Sequence, residues 1–155
     1  ATHGNRVEVA RFLIAQGADV NAKDAIKDTP FLYAGAEGRV EILKMTLAKA
    51  NLKDSNRYGG TALIPAAHHG HVEAVKVLLG TAIDKDHVNN LGWTALLEAV
   101  ILGDGGKAHT EIVRLLVGAG ANVNIADRDG VTPLVHAKRR NYAKMARILS
   151  GAGPR

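Results

Sequence analysis

Apolar residues along this chain gather into short clusters at helical spacing, and the clusters come in pairs divided by a glycine. Val72-Glu73-Ala74-Val75-Lys76-Val77-Leu78-Leu79 carries its apolar side chains on one helical face. A shorter, alanine-rich helix over 62–68 precedes it, and Gly70 separates the two. The same order recurs along the chain: a polar turn such as Asp127-Arg128-Asp129-Gly130, a threonine, a short apolar helix ending at Gly38, Gly70 or Gly103, and a second helix. Threonine suits the N-cap of the first helix, and Pro30 and Pro133 take the first helical position, where a missing N–H costs nothing. Early glutamates in the second helices (Glu8, Glu41, Glu73, Glu111) complement the positive end of the helix dipole. Asn5 and Asn141 replace the dividing glycine in the first and last pairs; asparagine tolerates the left-handed backbone well.

Four segments share one core: Thr29-Pro30-Phe31-Leu32, Thr61-Ala62-Leu63-Ile64, Thr94-Ala95-Leu96-Leu97 and Thr132-Pro133-Leu134-Val135. Their threonines lie 61−29=32, 94−61=33 and 132−94=38 residues apart, and the long gap contains five extra residues, Asp104–Ala108, whose removal restores 33. Being glycine-rich, that insertion is predicted to loop out as a mobile bulge. Period, caps and the closing Gly17-Ala18 and Gly120-Ala121 together resemble the ankyrin repeat, with its period of about 33 and Thr-Pro-Leu-His signature.

The resemblance implies an all-α solenoid of stacked helix-turn-helix units with β-turn or hairpin-like tips, right-handed and forming a single domain over 1–155. A partial repeat covers 1–23, full repeats follow at 24–55, 56–88 and 89–126 with the 104–108 insertion, and 127–155 forms a C-terminal cap. Because the first unit starts in mid-repeat, apolar surface around Phe31 and Leu32 is expected to be exposed. That start also fits a regulatory or targeting segment of a larger enzyme or effector. The family's histidine is replaced by Leu32, Ile64, Leu97 and Val135, so the bonds it makes between turn and helix must be met otherwise. Pro65, in the first turn of its helix, should distort it.

Composition narrows the chemistry. The 155 residues are 46% hydrophobic, 23% charged and only 4% aromatic, a globular composition packed by aliphatic side chains. With no cysteine, disulfides, thiol nucleophiles and thiolate zinc sites are excluded. No apolar run approaches the roughly 20 residues of a bilayer span. Ala1 and the polar residues after it do not resemble a signal peptide; the sequence names no compartment, and the cytoplasm is the default expectation. Ser55 and Ser150 lie in no nucleophile motif, and Gly103-Asp104-Gly105-Gly106-Lys107 fails the phosphate-loop spacing, so no enzyme and no cofactor are predicted. His68, His69 and His71 flank a helix-ending glycine and need not converge, so no metal site is predicted either.

The expected function is binding of another protein. The resemblance places the second helices on a convex back and the first helices and turn tips on a concave face. It also says which positions look outward there. These include Ile26, Arg57, Tyr58, Leu91, Trp93 and Arg128 on the turns, and His68, His69, Ile101, Leu102, Arg139 and Arg140 late in the first helices. Apolar and aromatic side chains at solvated tips mark an interaction surface, and Trp93 is the expected centre. The net charge of +5 raises a basic nucleic-acid or anionic-surface binder as the alternative. Basic residues concentrate in the last unit, where a polar terminal cap accounts for them better than nucleic acid or membrane does.

Overall fold

The computed structural model describes residues 1–24 and 28–152. Among them are nine helices and no strand. The first is α1 (Val7–Ala15). Four pairs follow: α2 (Pro30–Glu37) with α3 (Val40–Thr46), α4 (Leu63–His68) with α5 (Val72–Leu79), α6 (Ala95–Ile101) with α7 (Lys107–Gly118), and α8 (Pro133–Arg139) with α9 (Ala143–Ala152). The helices stack in two layers. One runs α2, α4, α6, α8, and the other runs α1, α3, α5, α7, α9. A single core lies between them, with Phe31, Ile42, Leu63, Leu78, Leu96, Ile112, Leu116 and Met145 fully buried.

Small residues line the first layer: Ala34, Gly35, Ala62, Ala66, Ala67, Ala95, Ala99 and Ala137. A Cβ on Gly35 would meet that of Ala62 at 3.1 Å, so these helices approach almost backbone to backbone. Between the two helices of a pair, the turn uses a left-handed residue: Gly38, Gly70, and the asparagines Asn5 and Asn141, which are the only non-glycine residues at positive φ among those described. In the third pair this conformation falls on Gly105, not on the predicted Gly103. His71 packs on Gly38, His109 on Gly70 and Tyr142 on Gly105, each ring against the turn of the preceding unit. A Cβ on Gly38 would come within 2.7 Å of the His71 imidazole, so this position excludes side chains by contact as well as by backbone conformation.

Two further sequence expectations change. Phe31 and Leu32 are buried, and the exposed apolar side chains near the N-terminus are Val9, Phe12 and Leu13 of α1. The reason is direction. Positions two and three after each threonine are buried at Leu63-Ile64 and Leu96-Leu97 as well, yet Val135 is exposed in the last pair, where no helix pair follows among the described residues. These positions therefore face the unit after them.

The 104–108 insertion is built into the structure. Lys107 and Ala108 form the first turn of α7, which reaches 12 residues. Asp104 Oδ1 accepts from Gly106 N at 2.8 Å and lies 3.1 Å from His109 Nδ1, while Tyr142 covers Gly105. These same partners, the Gly106 N–H first, hold the Asp104 carboxyl below the usual carboxylate range.

The effect of Pro65 is specific. Thr29, Thr94 and Thr132 each accept a cap bond on Oγ1, from Leu32, Leu97 and Val135, while the next amide along bonds the threonine carbonyl. Pro65 has no amide to give. The Ile64 N–H turns to the Thr61 carbonyl at 3.2 Å, and the buried Thr61 Oγ1 is left without a partner. The helix accordingly starts one residue late, at Leu63.

Two outcomes are expected in urea denaturation. Pro65→Ala should restore the cap and raise stability by about 1 kcal/mol; a lower midpoint would contradict the cap account. Deleting Asp104–Ala108 should cost more than about 2 kcal/mol, since it removes a helical turn and the seat of Tyr142. A near-neutral deletion would restore the bulge expectation.

Candidate functional site

Turn tips and first-layer helices enclose a groove of about 490 Å³ spanning three successive units. The tips are held in register by hydrogen bonds between units. Asn90 N donates to Tyr58 O at 2.9 Å, and Arg128 Nη2 donates to Asn90 O at 2.6 Å. Within each tip an Asx side chain organises the turn: Asn56 Oδ1 accepts from Tyr58 N and Gly60 N, and Asn89 Oδ1 accepts from Leu91 N and Trp93 N. Those bonds point the side chains of Tyr58 and Leu91 outward, 54% and 51% exposed.

Of the predicted residues, Arg57, Tyr58, His68, His69, Leu91 and Leu102 line this one groove. Trp93 and Ile101 are half-buried and do not line the groove. Arg128 is committed to Asn90, and Arg140 bonds His136 Nδ1 at 3.0 Å, so both basic side chains serve the frame. Arg139 is exposed on α8, and Ile26 lies outside the described residues. His68 and His69 stack face to face with centroids 4.3 Å apart. Among the described residues no group of three or more metal-ligating side chains is placed to hold an ion.

The floor is a row that sequence reasoning passed over: Tyr33, Pro65 and Glu98, each four residues after its threonine. The signal was available. Residues three and four positions on, such as His68-His69 and Ile101-Leu102, look outward by the family resemblance, and helical spacing puts the earlier residue on the same face. This row also supplies the missing turn-to-helix bonds. Asn89 Nδ2 donates to Glu98 Oε1 at 2.8 Å, and His136 Nε2 lies 2.7 Å from Asp127 Oδ2. The bond usual to the family's histidine is made one residue later.

Glu98 is the electrostatic centre of the groove. It is 5% exposed, and burial pushes its carboxyl up to about 7 against the lowering effect of Asn89. His68 Nδ1 lies 3.7 Å from Oε2. Burial, then the neighbouring His69 and His109, lower the proton affinity of that imidazole, so it is a weak counter-charge at neutral pH. At the rim, burial and then Asp24 raise the Asp28 carboxyl, while Arg57 lies over the Tyr58 ring at 4.8 Å.

Paired helices stacked in two layers with ladder-bonded tips define a repeat solenoid whose outward chemistry is a groove across units. A family model for ankyrin repeats in three copies matches residues 1–89 and 82–154, and the chain belongs to the ankyrin repeat family. It is 41% identical over 143 residues to the ankyrin repeat protein YahD of Escherichia coli, covering 91% of this chain and 71% of that one. A crystal structure of an ankyrin repeat domain from Acinetobacter baumannii AYE superposes with a TM-score of 0.98 at 57% identity, covering all of this chain and 80% of that one. A second ankyrin repeat protein of known structure gives 0.94 at 45% identity, over 97% and 77% of the two chains. Ankyrin repeats generally mediate protein–protein interaction, and proteins built from them are generally non-catalytic.

Because the Glu98 carboxyl is raised on folding, its contribution is complete at low pH and is lost as pH rises from about 4.5 to about 7. At roughly 1.4 kcal/mol per tenfold change in proton affinity, the loss is on the order of 3 kcal/mol. Glu98→Gln keeps an acceptor for Asn89 and removes this titration. Denaturation of the two proteins should show similar stability at pH 5 and a more stable variant at pH 8; parallel pH profiles would contradict the raised carboxyl.

Proposed function

We propose that the chain is a non-catalytic protein-binding module that holds a segment of another protein in the groove between turn tips and first helices. One observation carries the reading: Tyr58, Leu91 and Leu102, contributed by adjacent units, stand 54%, 51% and 40% exposed around a common depression. Solvated tips have no folding reason to carry such side chains, and an apolar cluster rimmed by charge suits a protein partner. The centre falls at Tyr58, Leu91 and Leu102 over Glu98, with Trp93, Ile101 and Arg128 on its flank. The basic last unit acts as a polar cap. Arg140 and Arg128 are occupied with His136 and Asn90, which leaves Lys138, Arg139, Lys144 and Arg147 as exposed basic charge.

The test uses a partner captured from the native lysate, identified and purified, with affinities measured on the isolated pair. Tyr58→Ala should weaken binding about thirtyfold or more, the loss typical of a central anchor, without lowering the melting temperature. The Arg139→Ala, Arg140→Ala double variant should change affinity less than about threefold. Normal binding by Tyr58→Ala would move the site elsewhere. A steep salt dependence lost in the arginine variant would favour the charged-surface alternative.

A further inference from the structure

We infer that the groove seats a lysine side chain of the partner, its ammonium group on Glu98 Oε2 and its methylene stem between Tyr58, Leu91 and Leu102. The inference rests on the docking-face reading and assigns the chemistry of what enters there. Glu98 stands in the middle of an otherwise apolar helix, Leu96-Leu97-Glu98-Ala99-Val100. Its Oε1 is satisfied by Asn89 Nδ2. Among the described residues Oε2 accepts no hydrogen bond and no lysine or arginine pairs with it; the one nearby base is His68 Nδ1 at 3.7 Å. A carboxylate taken out of water without a cation is costly, and the cost is relieved when a cation arrives.

Charge and shape point the same way. The groove lining carries the carboxylates of Asp28, Glu37 and Glu98 against the single guanidinium of Arg57, on a chain whose net charge is +5. The groove is thus locally acidic on a basic molecule. Its walls at Tyr58, Leu91 and Leu102 are exposed and apolar, which suits the long stem of a basic side chain with the head group beyond it. Lysine fits better than arginine. A guanidinium binds best with two parallel bonds to both carboxylate oxygens, and Asn89 already holds one of them. An ammonium is a compact point charge that needs one.

Occupancy is coupled to protons. A cation on Oε2 draws the Glu98 carboxyl back toward its ordinary range, so binding at neutral pH releases a proton and strengthens as pH rises toward about 7. The titratable and charged groups on the elements packed against α6 are His68 on α4, with His69 just beyond it; Lys107, His109, Glu111 and Arg114 on α7; and His136, Lys138 and Arg139 on α8, with Arg140 just beyond it. His109 is held by the His68 carbonyl and Asp104, and His136 by Asp127 and Arg140. Protonating His68 at low pH would repel the incoming ammonium and adds to the same trend.

The experiment is an NMR titration of the full chain with Nα-acetyl-lysine methylamide, beside its norleucine and arginine counterparts. At pH 7.5 the lysine probe should give saturable shifts at Asn89, Glu98 and Leu102. Norleucine, and lysine on Glu98→Gln, should bind at least tenfold more weakly. Lysine affinity should drop roughly tenfold or more at pH 5.5, following the ionised fraction of Glu98. Equal binding by norleucine or by the Glu98→Gln protein, arginine binding as tight as lysine, an unchanged affinity at pH 5.5, or no shifts in the groove would each overturn the assignment. The docking face is judged separately by Tyr58→Ala. A failed lysine titration with partner affinity still lost in that variant removes the lysine and keeps the face, while the opposite result removes the face.

Discussion

Alanine and glycine at the contacts of α2, α4, α6 and α8 let neighbouring units approach until Gly35 has room for no methyl group without pressing on Ala62. Interiors packed this tightly leave little slack, and that spacing sets the distances everywhere else. It brings each turn tip within reach of the next, so that Asn90 bonds Tyr58 and Arg128 bonds Asn90. It also leaves large side chains nowhere to go in the inner layer except the core side or the open face. Phe31, Leu63 and Leu96 take the first course. Tyr58, Leu91 and Leu102 take the second, and the groove results.

The polar bond between turn and helix connects the frame to the groove. Asn89 must reach a helical acceptor to fix its tip, and the acceptor available is Glu98, one position beyond the usual histidine. Meeting that structural need buries a carboxylate against the groove floor, where desolvation raises it to about 7. In the neighbouring unit the same position is Pro65, which offers no bond and also disrupts the threonine cap, leaving Thr61 Oγ1 unpaired. The last unit solves the problem with His136 and Asp127. One row of residues therefore carries two different solutions and, at Pro65, none. Glu98 is the one whose solution leaves an acid without a counter-ion.

Repeat period, threonine caps, helix-ending glycines and asparagines, and the amphipathic second helices were legible in the sequence, because each depends on residues within a few positions of one another. Hydrogen bonds at a cap span three residues, and a helical face repeats every 3.6. The outward positions Tyr58, Leu91, His69 and Leu102, which the family resemblance implied, line one groove. What fell outside that reach were facts about neighbours. That Phe31 and Leu32 are covered follows from which side of a unit they face. That Asp104–Ala108 is structure follows from Tyr142, nearly forty residues on, packing over Gly105.

The sequence by itself determined the unit: a turn, a capped short helix, a left-handed corner and a second helix, repeated with one insertion. Only the tertiary structure decided how side chains from different units meet. It tied Arg128 and Arg140 into the frame, left Trp93 half-buried beside the groove, and placed the buried Glu98 carboxylate beneath Tyr58, Leu91 and Leu102. The physical reason is that burial and electrostatic environment are properties of the stack, set by the offset between adjacent helix pairs, and no local spacing along the chain encodes that offset.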